Sequence, residues 1–142
     1  MSDITSVMTA NPSSCRVDTP LADVAQMMVD SDCGMIPVVD DALKPIGAVT
    51  DRDIATRIVA AGIDAGLSNA GDAMTSPVAT VTLATSLYDA TCVMEAEKIR
   101  RVIVVDGEGR LAGVAALADL ALAGKSEATA QVVREVSAPG KA

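Results

Sequence analysis

The stretch G-A-V-T-D-R-D-I, Gly47 to Ile54, sets two carboxylates, Asp51 and Asp53, around an arginine directly after a short apolar run. Thr50-x-x-Asp53 has the spacing of a helix N-cap pair. The hydroxyl can accept a backbone N–H near Asp53, and the carboxylate can reach back or favour the positive helix end. The same side chains could instead edge a pocket that holds a ligand, and the two readings do not exclude each other. A second polar pair, Arg100-Arg101, precedes the apolar run V-I-V-V. Such a pair is solvated, bridges to acidic side chains, or stands at a cleft mouth where it can meet an anion.

Composition removes several kinds of chemistry. The 142 residues contain one Tyr (Tyr88), no Phe or Trp, and a net charge of −8. Base-stacking and phosphate-backbone binding both lack their usual residues, so nucleic acid is not an expected partner. The absence of histidine removes the commonest general base, and three scattered cysteines (Cys15, Cys33, Cys92) make neither a CxxC pair nor a convincing metal set. Catalysis is not expected, and each cysteine reads as a buried, inert thiol in a reducing cytoplasm. Cys15 and Cys33 would approach each other if the first strand pairs near P-V-V, which leaves redox sensing open. No run of some 20 apolar residues marks a membrane span, and M-S-D-I-T-S-V-M lacks the features of a secretory signal.

The elements that must position these residues are written twice. Thr19 to Ile54 aligns without gaps on Thr85 to Leu120, 66 positions on. Identical pairs include Leu21/Leu87, Asp23/Asp89, Met28/Met94, Val38/Val104, Asp40/Asp106, Gly47/Gly113 and Asp53/Asp119. Upstream, V-M-T-A-N-P echoes A-M-T-S-P, read as an echo with small length differences. Each copy reads as strand–helix–strand–strand–helix: an α/β (α+β) fold of two pseudo-symmetric repeats. The strands are expected at Cys15–Val17 or Ala79–Thr82, then at the I-P-V-V-D or V-I-V-V-D run, then at the G-A-V or G-V-A run. Thr19 is expected to cap the first helix, and Gly62 and Gly124 to close the second helices. Met27, Met28, Met35 and Met94 read as core filler, and Gly34 and Gly47 as turn or close-approach positions. The expected organisation is repeat 1 over 1–62, a connection over 63–72, repeat 2 over 73–124, and a terminal helix and tail over 125–142. Halves this small should pack on each other, most simply sheet to sheet.

Taken in order, V-M-T…P, T-P-L-A-D-V-A-Q-M-M, C-G-M-I-P-V-V-D and G-A-V-T-D-R-D-I resemble a CBS domain. A-M-T-S-P, S-L-Y-D-A, I-R-R-V-I-V-V-D and G-V-A-A-L-A-D-L resemble another. The pair is similar to a Bateman module, here of the small stand-alone prokaryotic, hypoxic-response type. The resemblance implies a non-catalytic regulatory module, dimeric in many members, that binds an adenosyl ligand such as AMP, ADP, ATP, S-adenosylmethionine or NAD. It implies no required cofactor and no membrane, and leaves open a regulated protein partner. By this resemblance, one cleft joins Thr50 and Asp53 to Ala79, Thr80, Arg100 and Arg101. Asp53 would accept the ribose hydroxyls, and Thr50 and the arginines would face phosphate. The other cleft would join Ala116 and Asp119 to Ser14, Gly34 and Met35. There only Asp119 keeps the family pattern, so one competent site per chain is expected; the alternative is an adaptor that has lost its ligand.

Overall fold

The computed structural model describes residues 3–124, which group into two compact units. The terminal helix expected over 126–136 lies outside the described residues. One unit is formed by residues 12–78 and the other by 3–11 with 79–124. The sequence order is therefore not the packing order. The first residues fold with the second repeat, and residues 63–78 fold with the first.

In the first unit, helix α1 (Leu21–Ser31) leads to strand β2 (Met35–Val39), a tight turn, strand β3 (Pro45–Thr50) and helix α2. β2 and β3 pair antiparallel, with Met35 opposite Thr50 and a bulge at Val38/Val39. Helix α2 takes one ordinary turn, Asp51–Asp53, and then widens into a π turn over Ile54–Val59. The amide of Ala60 donates to the carbonyl of Ala55, and that of Ile63 to Ile58. Gly62, at φ +74°, supplies the left-handed residue that ends it, as expected. Leu21, Val24, Ile36, Val38, Val49 and Ile58 close the core with Ala70 and Ala73.

Those alanines belong to a capped helical turn, α3 (Ala70–Ala73), inside the stretch whose first part reads as a connection. Asn69 and Asp72 form a reciprocal capping box, a signal present in the sequence as N-A-G-D.

The second unit repeats the plan around a fuller sheet. Strand β1 (Thr9–Ala10) pairs antiparallel with β6 (Leu111–Ala116), β6 with β5 (Arg101–Val105), and β5 parallel with β4 (Thr80–Thr82). Helix α4 (Leu87–Glu97) buries Leu87, Ala90, Thr91 and Met94, and helix α5 (Leu117–Gly124) buries Leu117 and Leu120. The cores match at the same 66-residue offset: Ile4/Ala70, Cys15/Val81, Val24/Ala90, Ile36/Val102 and Val49/Ala115. The register also holds upstream, because Thr9 lies opposite Val114 and Thr75 opposite Ala48. The small length differences expected there are absent up to that point.

Glycine explains how the exchanged segments attach. A Cβ on Gly47 would lie 2.8 Å from Met74 Sδ and 2.9 Å from the Thr75 carbonyl oxygen. On Gly113 it would lie 2.5 Å from Met8 Sδ and 2.9 Å from the Thr9 carbonyl oxygen. Each Met-Thr segment thus rests on a strand that must lack a side chain there, so Gly47 is a close-approach glycine.

Two expectations fail locally. Thr19 does not cap α1: the residue before the helix is Pro20, without a side-chain cap bond, and the Thr19 hydroxyl accepts the Arg16 amide at 2.9 Å. Thr85 does the same for Thr82 at 3.0 Å, and Ser86 caps α4. The threonine closes the turn before each helix, a common competing use of its hydroxyl. That turn also shortens the strand expected at Cys15–Val17 to a single bridge, Cys15 to Val38.

Candidate functional site

Asp53 is the organising residue of the first unit's polar end. Thr50 is the N-cap of α2, and its hydroxyl accepts the Asp53 amide at 3.0 Å. In return Asp53 Oδ2 accepts the Thr50 amide, also at 3.0 Å. The cap is thus present, as the spacing suggested. It leaves Asp53 Oδ1 to two further partners, a hydrogen bond and an ion pair, that sequence reasoning missed. The Thr75 hydroxyl donates to it at 3.1 Å, and Arg57 Nε lies 3.5 Å away, four residues along the helix. The residue is 9 % exposed, and no buried side-chain polar atom among the described residues is left without a partner. A buried carboxylate needs such satisfaction.

Thr75 is itself firmly held. Its amide donates to the Ala48 carbonyl at 2.8 Å, its carbonyl accepts the Ala48 amide at 3.0 Å, and the Ser76 hydroxyl donates to the Ile46 carbonyl at 2.6 Å. The M-T-S-P echo marked this segment, but nothing in its spacing placed the hydroxyl on Asp53.

The remaining candidates fall into two groups, each at one end of a sheet. Met35 lies opposite Thr50, and the Gly34 carbonyl accepts the Asp51 amide at 3.0 Å, with Ser14 one residue before the Cys15 bridge. In the second unit the parallel strands β4 and β5 begin at the same edge. This gathers Ala79, Thr80, Arg100 and Arg101 with Ala116, where β6 ends, and Asp119 in the first turn of α5. Arg101 lies opposite Ala116, and the Arg100 carbonyl accepts the Leu117 amide at 2.8 Å. Thr80 and Arg101 are exposed.

The two aspartates differ sharply despite equivalent positions. Ala116 replaces the Thr50 hydroxyl and Ala123 stands where Arg57 stands in the first copy. Asp119 is exposed, and no side-chain bond to it occurs among the described residues.

The cysteines are all free. Cys15 is buried, and burial pushes its thiol from 9.0 up to about 11, so it is the inert residue expected. Cys92 is half-buried, and Cys33 is exposed, against the expectation that each would be buried. No group of three or more His, Cys, Asp or Glu able to hold a metal occurs among the described residues, and no described helix is long and apolar enough to cross a membrane.

Comparison with known proteins agrees with this architecture. The CBS domain model matches residues 2–60 and 70–126. Hypoxic response protein 1 of Mycobacterium tuberculosis is 34 % identical over 119 residues, which cover 84 % of this chain and 82 % of the relative. A crystal structure of Hypoxic Response Protein I, described with two coordinated zinc ions, superposes with a TM-score of 0.77 at 31 % identity, over 85 % of this chain and 98 % of that one. Two more distant structures share the fold. CBSX2 in complex with AMP has a TM-score of 0.74 at 23 % identity, covering 88 % of this chain and 97 % of that one. The CBS domain pair of MJ0100, in complex with 5′-methylthioadenosine and S-adenosyl-L-methionine, has a TM-score of 0.77 at 21 % identity, covering 89 % and 99 %. With two matched domains, a shared offset through both cores and a relative of similar length, this chain belongs to the CBS-domain family, as a tandem pair.

Proposed function

We propose that this CBS pair is a non-catalytic regulatory module, a cytoplasmic homodimer that binds one adenine nucleotide or related adenosyl compound per chain. The observation that carries the reading is the intact Thr50-x-x-Asp53 cap in a CBS pair whose distant fold relatives hold AMP or S-adenosyl-L-methionine. Asp53 would accept ribose hydroxyls, while Thr50, Arg100 and Arg101 would meet phosphate, with Ala79 and Thr80 in the same cleft. Asp119 lacks the companions that hold Asp53, which supports one site rather than two. Binding would favour one arrangement of the repeats over another, and a partner protein would read that difference.

Thermal denaturation with AMP, ADP, ATP, S-adenosylmethionine and NAD tests the reading. A ligand at 100 times its Kd should stabilise the fold by about 2.7 kcal/mol. Asp53→Asn is the informative variant, because its amide oxygen can still accept the Thr50 amide while the charge is lost. It should abolish the ligand shift. A calorimetric stoichiometry of two equal sites per chain would contradict the one-site reading.

A second reading, an adaptor that keeps the fold without a ligand, is favoured by one observation: the Asp53 carboxylate already accepts two hydrogen bonds and pairs with Arg57. Dimerisation or partner capture insensitive both to nucleotides and to Asp53→Asn would establish it.

A further inference from the structure

We propose that residues 126–136 form a helix that folds back over the outer face of α4 and α5 and covers Tyr88 and Leu122. Such a cover does not depend on what the module binds.

The chain's own turns assemble this face. α5 starts where α4 has just ended: the Leu117 amide donates to the Arg100 carbonyl at 2.8 Å, shortly after α4 closes at Glu97. Both helices bury one side in the same core, Leu87, Ala90 and Met94 from α4 with Leu117 and Leu120 from α5. Two helices that share a core and meet end to start run antiparallel, so the end of α5 returns towards the start of α4. That brings Leu122, 70 % exposed, to the same end as Tyr88, 57 % exposed. α5 reads L-A-D-L-A-L-A-G, with Asp119 its one charged residue. A helix apolar nearly all round is one that is covered nearly all round. At the equivalent positions the first copy has Ala22 and Thr56, so this aromatic and aliphatic pair is peculiar to the second copy.

The first unit shows why the terminal segment is the occupant. There the chain leaving α2 turns back to the start of α1. The Ser68 carbonyl accepts the Leu21 amide at 2.9 Å, the Ala70 amide donates to the Thr19 carbonyl at 2.8 Å, and Ala70 and Ala73 enter the core. In the second unit that place is filled from the N-terminal side: the Ile4 amide donates to the Thr85 carbonyl at 3.4 Å, and Ile4 is fully buried. The chain leaving α5 therefore has no core slot to enter, and the surface at its exit is the Tyr88 and Leu122 face. Its sequence suits that surface. Gly124 and Lys125 make a short turn before Ser126, a cap residue, as in an antiparallel helix pair. Ala128, Val132 and Val136 then recur at i, i+4 and i+8, one stripe of a helix. A helix over 126–136 is about 16 Å long against about 12 Å for α5, so it spans the face.

Tyr88 is the chain's one aromatic residue, so its emission reports on this face alone. Acrylamide quenching of that emission in the full chain is the test. The folded wild type should protect Tyr88 at every protein concentration. Val132→Asp with Val136→Asp should lose that protection, and Val132→Ala with Val136→Ala, which keeps the helix, should lose part of it. Ala130→Asp, the same kind of change on the opposite side of the helix, should keep it. Thermal denaturation followed by circular dichroism establishes that the repeats of each variant remain folded. Equal quenching of the wild type and both valine pairs would overturn the proposal, and if their shared protection fell on dilution, a second copy would be the occupant instead. Equal loss in Ala130→Asp would overturn the assignment of the stripe.

Discussion

Gly47→Ala tests whether the exchanged Met-Thr segment is seated as tightly as the geometry requires. The added Cβ would lie 2.8 Å from Met74 Sδ and 2.9 Å from the Thr75 carbonyl oxygen. The sulfur can swing away at small cost, but the carbonyl belongs to a backbone that donates to and accepts from Ala48. Relief must therefore strain the strand or lift the segment. Overpacking of this kind costs about 1–3 kcal/mol. Lifting the segment gives up two backbone hydrogen bonds worth about 1 kcal/mol each, along with the Thr75–Asp53 contact. Opposing this, alanine restricts the unfolded chain and stabilises by about 0.4–1 kcal/mol. The clash outweighs the entropy, leaving a net loss of about 2 kcal/mol. At about 2–4 °C per kcal/mol, Tm should fall by about 4–8 °C. Urea denaturation should show a lower midpoint with an unchanged slope. Met74→Ala added to Gly47→Ala should not recover the loss, because the carbonyl contact remains. An unchanged or raised Tm for Gly47→Ala would refute the close approach.

Thr50→Ala should cost about 1 kcal/mol by deleting the cap acceptor, and Thr50→Ser should retain most of the stability, read by urea denaturation. Asp119→Ala should change stability by less than about 0.5 kcal/mol, because no described bond holds its carboxylate. Leu43, exposed and at φ +65°, occupies the position that Gly109 fills in the second copy; Leu43→Gly should stabilise by about 0.5–1 kcal/mol in the same assay. Cys15 keeps its proton in the folded state up to about 11 whereas its ordinary value is 9.0, so the unfolded chain releases the proton first. Its contribution to stability should therefore fall as pH rises from 9.0 towards 11, a slope that Cys15→Ala should lack.

The double plan was legible because apolar periodicity and turn residues act locally, and two copies reinforce one another. The strand pairs and the two helices expected in each copy therefore stand, as does the core face Leu21/Val24 with its echo Leu87/Ala90. The exchange of the N-terminal segments was not legible. It depends on which strand edge Thr9 and Thr75 meet, and neither residue's type records a distant partner. Thr19 misled for a related reason: a hydroxyl three residues after an amide closes a turn as readily as it caps a helix, and Pro20 left the helix to begin one residue later. At the candidate site the cap could be read from spacing alone. The Thr75 contact could not, because it needs the exchanged segment; Arg57 stands four residues after Asp53, an ordinary helical spacing that the sequence displays.

Identity between the copies mostly marks the frame. Asp40 and Asp106 each accept two backbone amides in the turn that joins the paired strands. Gly47 and Gly113 admit the Met-Thr segments, and Thr19 and Thr85 close the turns before the helices. A backbone built twice must meet these demands twice, whatever it binds. The functional content then falls largely on positions where the copies diverge: Thr50 against Ala116, Arg57 against Ala123, Arg100 against Gly34 and Arg101 against Met35. The strand register does not force the differences at the strand ends, since Met35 lies opposite Thr50 as Arg101 lies opposite Ala116. Asp53 and Asp119 form the exception, one identical residue with two surroundings. Their comparison separates the part of Asp53 that belongs to the frame from the part its neighbours confer. A carboxylate in the first helical turn exists in both copies, but only the copy with Thr50, Thr75 and Arg57 fixes its orientation. Transplanting the hydroxyl and the cation together, as Ala116→Thr with Ala123→Arg, should therefore raise the order of Asp119, and the calorimetric stoichiometry for AMP should rise towards two if orientation is what the second copy lacks. A stoichiometry fixed at one in a folded variant would place the deficit in Gly34 and Met35 instead.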